Sequence, residues 1–214
     1  MKFLDAIAAE HRLIEAVSGA LRTWAGAVGG AGAEPEDGER FMCFFRDFAG
    51  GFHHAREEGV LFPALVREAE LGADSGPLAA LTAQHRAMER ALAALAELVA
   101  ARASGPPLLA AVHGYLRPLG QHIDAEDSVL LPESRTRLMR AGLLELPEVA
   151  PDAAAAAARA DGERLVARYP GTDDPEGLRG EGCVVCPSFG DTCQGVEREW
   201  WSELEWEDFR DRVG

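Results

Sequence analysis

The sequence predicts an all-α protein, an up-down antiparallel four-helix bundle followed by a cysteine-containing helical and irregular appendage. Three observations predict it. Ala and Leu abound, while strand-like runs of Val, Ile and Thr are absent. Apolar side chains recur at helical spacing in four successive segments. The breaks between the later three are short, which makes sequence neighbours antiparallel.

The elements follow in order. Over 3–24, Phe3, Leu4, Ile7, Leu13, Ile14, Val17, Leu21 and Trp24 share helical spacing. The stretch GAVGGAGAEPEDGE (26–39) has the composition of a loop. A second helix runs from about Glu39 to Glu70 and carries Phe41, Phe44, Phe45, Phe48 and Phe52. LGADSGP (71–77) breaks it, a third helix spans roughly 77–103, SGPP (104–107) ends that one, and a fourth spans roughly 107–140. Past Gly142 a Pro-Asp entry signal opens a short helix over 151–170. A turn-rich stretch (171–195) and an amphipathic terminal helix with Trp201, Leu204 and Phe209 complete the chain. This divides the protein into a bundle, 1–145, and an appendage, 146–214.

Bulk composition excludes several function classes. The 214 residues carry a formal net charge of −15, which disfavours nucleic acid and anionic membrane surfaces as partners. Asp5, Glu10 and His11 interrupt the N-terminal segment where a signal peptide needs an apolar run, and no segment approaches a membrane span. Four cysteines are too few for a disulfide scaffold of this length. The expected location is the cytoplasm.

One pattern carries chemistry. HHAREEGVLFP (53–63) recurs 69 residues later as HIDAEDSVLLP (122–132), and EHRLIE (10–15) recurs 74 residues later as QHRAME (84–89). The four helices thus read as two copies of a pair, whose special residues occupy pseudo-symmetric places around one axis. Of six histidines, five have an acid four residues on, where chance gives about one. Residues i and i+4 share a helix face, so His53/Glu57 and His122/Glu126 aim an imidazole and a carboxylate at a common point. His11 and His85 add an imidazole from each remaining helix. Four imidazoles and two carboxylates suit a binuclear centre with bridging oxygens; with no sulfur in the set, iron, manganese or zinc fit, and the bundle setting favours iron. A single His–acid pair, by contrast, is ordinarily a surface ion pair.

These four separated elements resemble the hemerythrin-like HHE cation-binding family over about 1–140. The resemblance implies a non-haem di-iron centre with His11, His53, Glu57, His85, His122 and Glu126 as metal ligands. Aligning the two Leu-(Phe/Leu)-Pro ends leaves His54 and Glu58 as neighbours about 100° round the helix. His54 then reads as a surface residue. Glu58 and Asp127 either accept from ligand histidines or face water, and Glu15 and Glu89 either orient His11 and His85 or complete the metal sphere. The fifth imidazole of the oxygen-carrying members has no evident counterpart. His113 is out of phase with His122 and should point away. Gly50-Gly51 and Pro118/Gly120 weaken the two ligand helices just before their histidines, as bulges or as kinks. Tyr115 lies two turns before His122 on the same face, as a residue of the ligand pocket or of the core.

In the tail, Cys183, Cys186 and Cys193 form CVVCPSFGDTC, read as a second metal site for zinc or another cluster, with a fourth ligand from Asp191 or Cys43, as a redox dithiol, or as cysteines without a special role. The functional expectation is a protein that binds or senses O2, NO or peroxide, with a redox or protein partner reached through the tail. The alternatives are a di-iron oxidase or peroxidase and an iron–sulfur cluster repair or iron-donor protein. Repair factors of this family carry an added N-terminal cysteine segment, and here the helical pattern begins at residue 3, which weakens that option.

Overall fold

The computed structural model describes residues 1–30 and 32–171. Among these the regular structure is all helical. Helix α1 is Lys2–Ala27. Helix α2 covers 37–69 without a break, but its winding changes. It opens as α-helix (Asp37–Cys43), widens to π-helix over Phe44–His54 and again over Glu57–Leu61, and closes as α-helix (Phe62–Ala69). Glu70, in the left-handed conformation at φ 58°, ends it. Helix α3 is Gly76–Ala100. Helix α4 covers 106–140, with a π-helical turn at Glu126–Leu130 between α-helical Pro106–Ala125 and Leu131–Arg140. Helix α5 is Ala153–Arg168, opened by Asp152, whose carboxylate accepts from Ala155 N–H at 2.8 Å.

Paired π-helical turns obey the sequence repeat. Glu57–Leu61 and Glu126–Leu130 are 69 residues apart, the same offset as the two histidine segments. They start at the two glutamates; before the histidines, the widening expected at Gly50-Gly51 is present, and the one expected at Pro118 and Gly120 is not. Pro118 and Gly120 lie within continuous α-helix. The longer π segment, Phe44–His54, has no counterpart in α4. It contains Gly50 and Gly51; a Cβ added to Gly51 would stand 3.3 Å from the Arg46 carbonyl.

Apolar burial forms two clusters. One gathers Ile14, Trp24, Phe44, Phe48, Leu95 and Leu116 among others, and the other gathers Phe3, Ile7, Leu61, Leu81, Leu130 and Leu138. The histidines and glutamates of the repeat fall between them on every helix, as a polar layer inside the protein. His11 lies between Ile7 and Ile14, and His85 between Leu81 and Met88.

Helix α5 joins the first cluster through Ala155, Ala158 and Leu165. It approaches closely at Gly162, where a Cβ would stand 2.5 Å from the buried Phe44 ring. Tyr169 Oη donates to Asp37 at 2.7 Å and Arg168 reaches the same carboxylate, which pins the end of α5 to the start of α2. Cys183, Cys186, Cys193 and the terminal amphipathic segment lie outside the described residues.

Candidate metal centre

Seven side chains that offer metal-binding atoms meet in the polar layer. His11, His53, Glu57 and Glu126 form one group, and His54, Glu57, His85 and His122 form a second; within each group the candidate ligand atoms lie within 4.8 Å of one another. Glu57 belongs to both. All seven are buried. The six residues singled out in the sequence therefore come together, one or more from each of the four long helices. His113 is exposed, as its phase required.

His54 corrects the sequence reading. It is buried, not on the surface; its ring stacks on His85 with centroids 3.9 Å apart, and its Nε2 is buried without a hydrogen bond. The reason is local winding. A residue one position on turns through about 100° in an α-helix, but a π-helix has wider turns and a smaller step. Over Phe44–His54 that smaller step lets His53 and His54 both face inward. His54 adds a fifth imidazole to the four that the sequence pattern placed in this layer.

Hydrogen bonds settle the tautomers of four rings. His11 Nδ1–H donates to Asp127 at 2.8 Å, and His85 Nδ1–H donates to Glu58 at 2.8 Å. His53 Nδ1–H donates to Glu10 at 2.9 Å, and His122 Nδ1–H donates to the Gln84 carbonyl at 2.8 Å. The arrangement follows the repeat. The residue after each glutamate holds the lone histidine of another helix, and the residue before each lone histidine holds the paired one. Glu58 and Asp127 thus support the imidazoles, each braced by an arginine, Arg86 and Arg12. Glu15 and Glu89 do neither task proposed for them; they pair with Arg12 and Arg86 near the surface. Glu10, Gln84 and Arg56 were missed. The signal was present, since EH and QH stand at the repeat offset, but helix phase alone does not say which neighbour reaches across.

In the neutral form, with its one proton on Nδ1, each ring presents an Nε2 lone pair to the interior; His11 Nε2 can also hold a proton against Glu126, 3.2 Å away. His11 Nε2 faces His53 Nε2 at 3.1 Å, and His85 Nε2 faces His122 Nε2 at 3.0 Å. All four carboxylate oxygens of Glu57 and Glu126 are buried without a hydrogen bond, although imidazole nitrogens stand 3.2 to 3.9 Å away. Converging lone pairs and unpaired buried carboxylates cost free energy in an apolar layer. Cations between them remove that cost, so the donor set fits a metal centre of imidazole nitrogen and carboxylate oxygen.

Electrostatics agree. Burial, reinforced by neighbouring imidazoles, holds His53, His54 and His122 well below the usual histidine value, so they stay neutral. Burial, together with the charge of Glu126, raises Glu57 well above the usual carboxylate range. His11 differs. Burial lowers its pKa, but Asp127 and Glu126 outweigh burial and raise it to about 9.

The comparison with protein families decides the matter: the hemerythrin HHE cation binding domain matches residues 2–134. The chain belongs to the hemerythrin HHE family. That match covers all seven residues of the centre and both repeated segments. No curated protein and no solved structure matches the chain. No helix among the described residues is long and apolar enough to cross a membrane.

Tyr115 is buried on α4 against Phe45, with ring centroids 5.1 Å apart. It belongs to neither metal-binding group. Cys43, one of the two fourth-ligand options for the tail, is a half-buried free thiol on α2 that accepts from Arg46 at 3.4 Å.

Proposed function

We propose that this hemerythrin HHE protein holds two iron ions and takes up O2, NO or a peroxide at an open coordination position, as a binding or sensing protein of the cytoplasm. The observation that carries the reading is the facing of Nε2 lone pairs, His11 to His53 and His85 to His122, across unpaired Glu57 and Glu126. His11, His53, Glu57 and Glu126 would hold one ion, and His54, His85, His122 and Glu57 the other. Iron supplies electrons and an exchangeable position to such a ligand.

The chain's own residues do the rest. Asp127, Glu58, Glu10 and Gln84 keep the protons on Nδ1 and orient the rings. The two apolar clusters keep bulk water from the layer. We take the four long helices to run up and down as antiparallel neighbours, residues 1–145 to be the bundle and 146–214 to be an appendage. Through its cysteines that appendage would hold zinc or meet a redox or protein partner.

Metal analysis of the purified full chain tests the reading. Two irons per chain, with an absorption band that appears on exposing the reduced protein to O2 or NO, is the expected result. A folded protein that takes up no transition metal would end it.

A further inference from the structure

A cavity of about 360 Å³ lies between the π-helical part of α2 and helix α3, with Tyr115 of α4 on its wall. Its lining is mostly apolar: Met42, Phe45, Met88 and Leu92 contribute, and His54 forms the wall shared with the metal centre. Gly50 and Gly51 also line it, so the stretch of α2 that turns His54 inward leaves space beside it unfilled by side chains. The rim carries Arg46 and Glu89, which already pair with Asp47 and Arg86.

Size argues against a diatomic as the occupant. One water takes about 30 Å³ in the liquid, so the space suits roughly a dozen non-hydrogen atoms, and a 150 Å³ apolar cavity already holds benzene. The polarity is equally selective. No charged side chain is free at the rim, and Tyr115 puts a phenol on the wall. Burial raises the Tyr115 pKa, so the phenol stays a donor. Such a lining, apolar with one or two polar groups, is what small-molecule pockets have in common.

We propose that this cavity binds a neutral, apolar organic molecule of about a dozen non-hydrogen atoms that bears one hydroxyl or hydroperoxide group, with its oxygen on Tyr115 and its body beside His54. The proposal rests on the di-metal reading only in setting the occupant one imidazole from the ions; binding itself needs no metal.

Fluorescence titration of the metal-free full chain with 1-naphthol, and with naphthalene as the analogue lacking oxygen, tests it. The expected result is saturable binding of one equivalent of each, with naphthol the tighter ligand. Tyr115→Phe should weaken naphthol about tenfold and leave naphthalene unchanged. Ala96→Trp, which adds bulk at the wall, should abolish both while circular dichroism stays helical. Bound naphthol should shift the His54 ring resonances and leave those of His113 in place. The proposal is overturned by absence of saturable binding, by binding that survives Ala96→Trp, or by equal weakening of both ligands in Tyr115→Phe. Metal counts on the same preparation test the di-metal reading separately: naphthol binding without metal uptake supports the cavity and sinks only that reading.

Discussion

Glu10 accepts from His53 Nδ1 at 2.9 Å, and the buried Arg56 guanidinium holds Glu10 in place. The repeat puts Gln84 and Ala125 at the corresponding positions, so His122 leans on a neutral amide, with Ala125 where the other half has Arg56. His54 has Ile123 as its counterpart. His53 is therefore supported by charge and His122 by a dipole, and the two halves of the centre offer two and three imidazoles.

Charge support makes a ligating imidazole a stronger donor. Glu10→Gln should weaken one of the two ions about 10- to 100-fold and leave the other nearly unchanged. Competition with a chelator, read as two separate affinities, checks this. Because Glu10→Gln strips Arg56 of its partner, the double variant Glu10→Gln/Arg56→Met is measured beside it. Equal loss at both ions would contradict the asymmetry.

The ligand map has its own test. His53→Ala or His122→Ala should abolish occupancy by two ions, His54→Ala should cost one ion, and His113→Ala should cost none. Elemental analysis of each purified variant reads the result. A His54→Ala protein that binds both ions as tightly as the parent would return His54 to a packing role.

Metal uptake should release protons. His11 has a pKa raised to about 9, so at pH 7.5 it carries a proton that an ion must displace. Glu57, raised by burial and by Glu126, adds a second displaceable proton. The sign follows: affinity rises with pH until His11 is deprotonated near 9, and falls on acidification. Calorimetry in two buffers of different ionisation enthalpy should show a release of about two protons. Zero release would mean that these groups are not displaced.

Packing of α5 is tested at one atom. A methyl at Gly162 would strike the Phe44 ring, so Gly162→Ala should cost roughly 1–3 kcal/mol of stability. Gly114, an exposed glycine of α4 with open space around it, should behave oppositely, gaining up to about 1 kcal/mol as Ala. Thermal unfolding of the two variants separates them; a neutral Gly162→Ala would show that α5 yields there.

Much of this centre was legible in the residues alone. The 69- and 74-residue offsets, with helical periodicity, placed His11, His53, Glu57, His85, His122 and Glu126 on four helices facing one axis. A duplicated i,i+4 pair survives any reasonable choice of helix boundary, because its two members move together. Periodicity also held for the helix that Asp152 caps and for the outward phase of His113.

Other features needed the folded chain. His54 was misread because the reading assumed 3.6 residues per turn, and π winding is set by packing and by what the layer must satisfy, not by local preference. Glu10 and Gln84, chosen over Glu15 and Glu89 to hold the imidazoles, depend on how far one helix stands from the next. The cavity beside Tyr115 exists only where two helices fail to fill the space between them. Sequence determines which side chains share a face; distances between faces are a property of the whole packed chain.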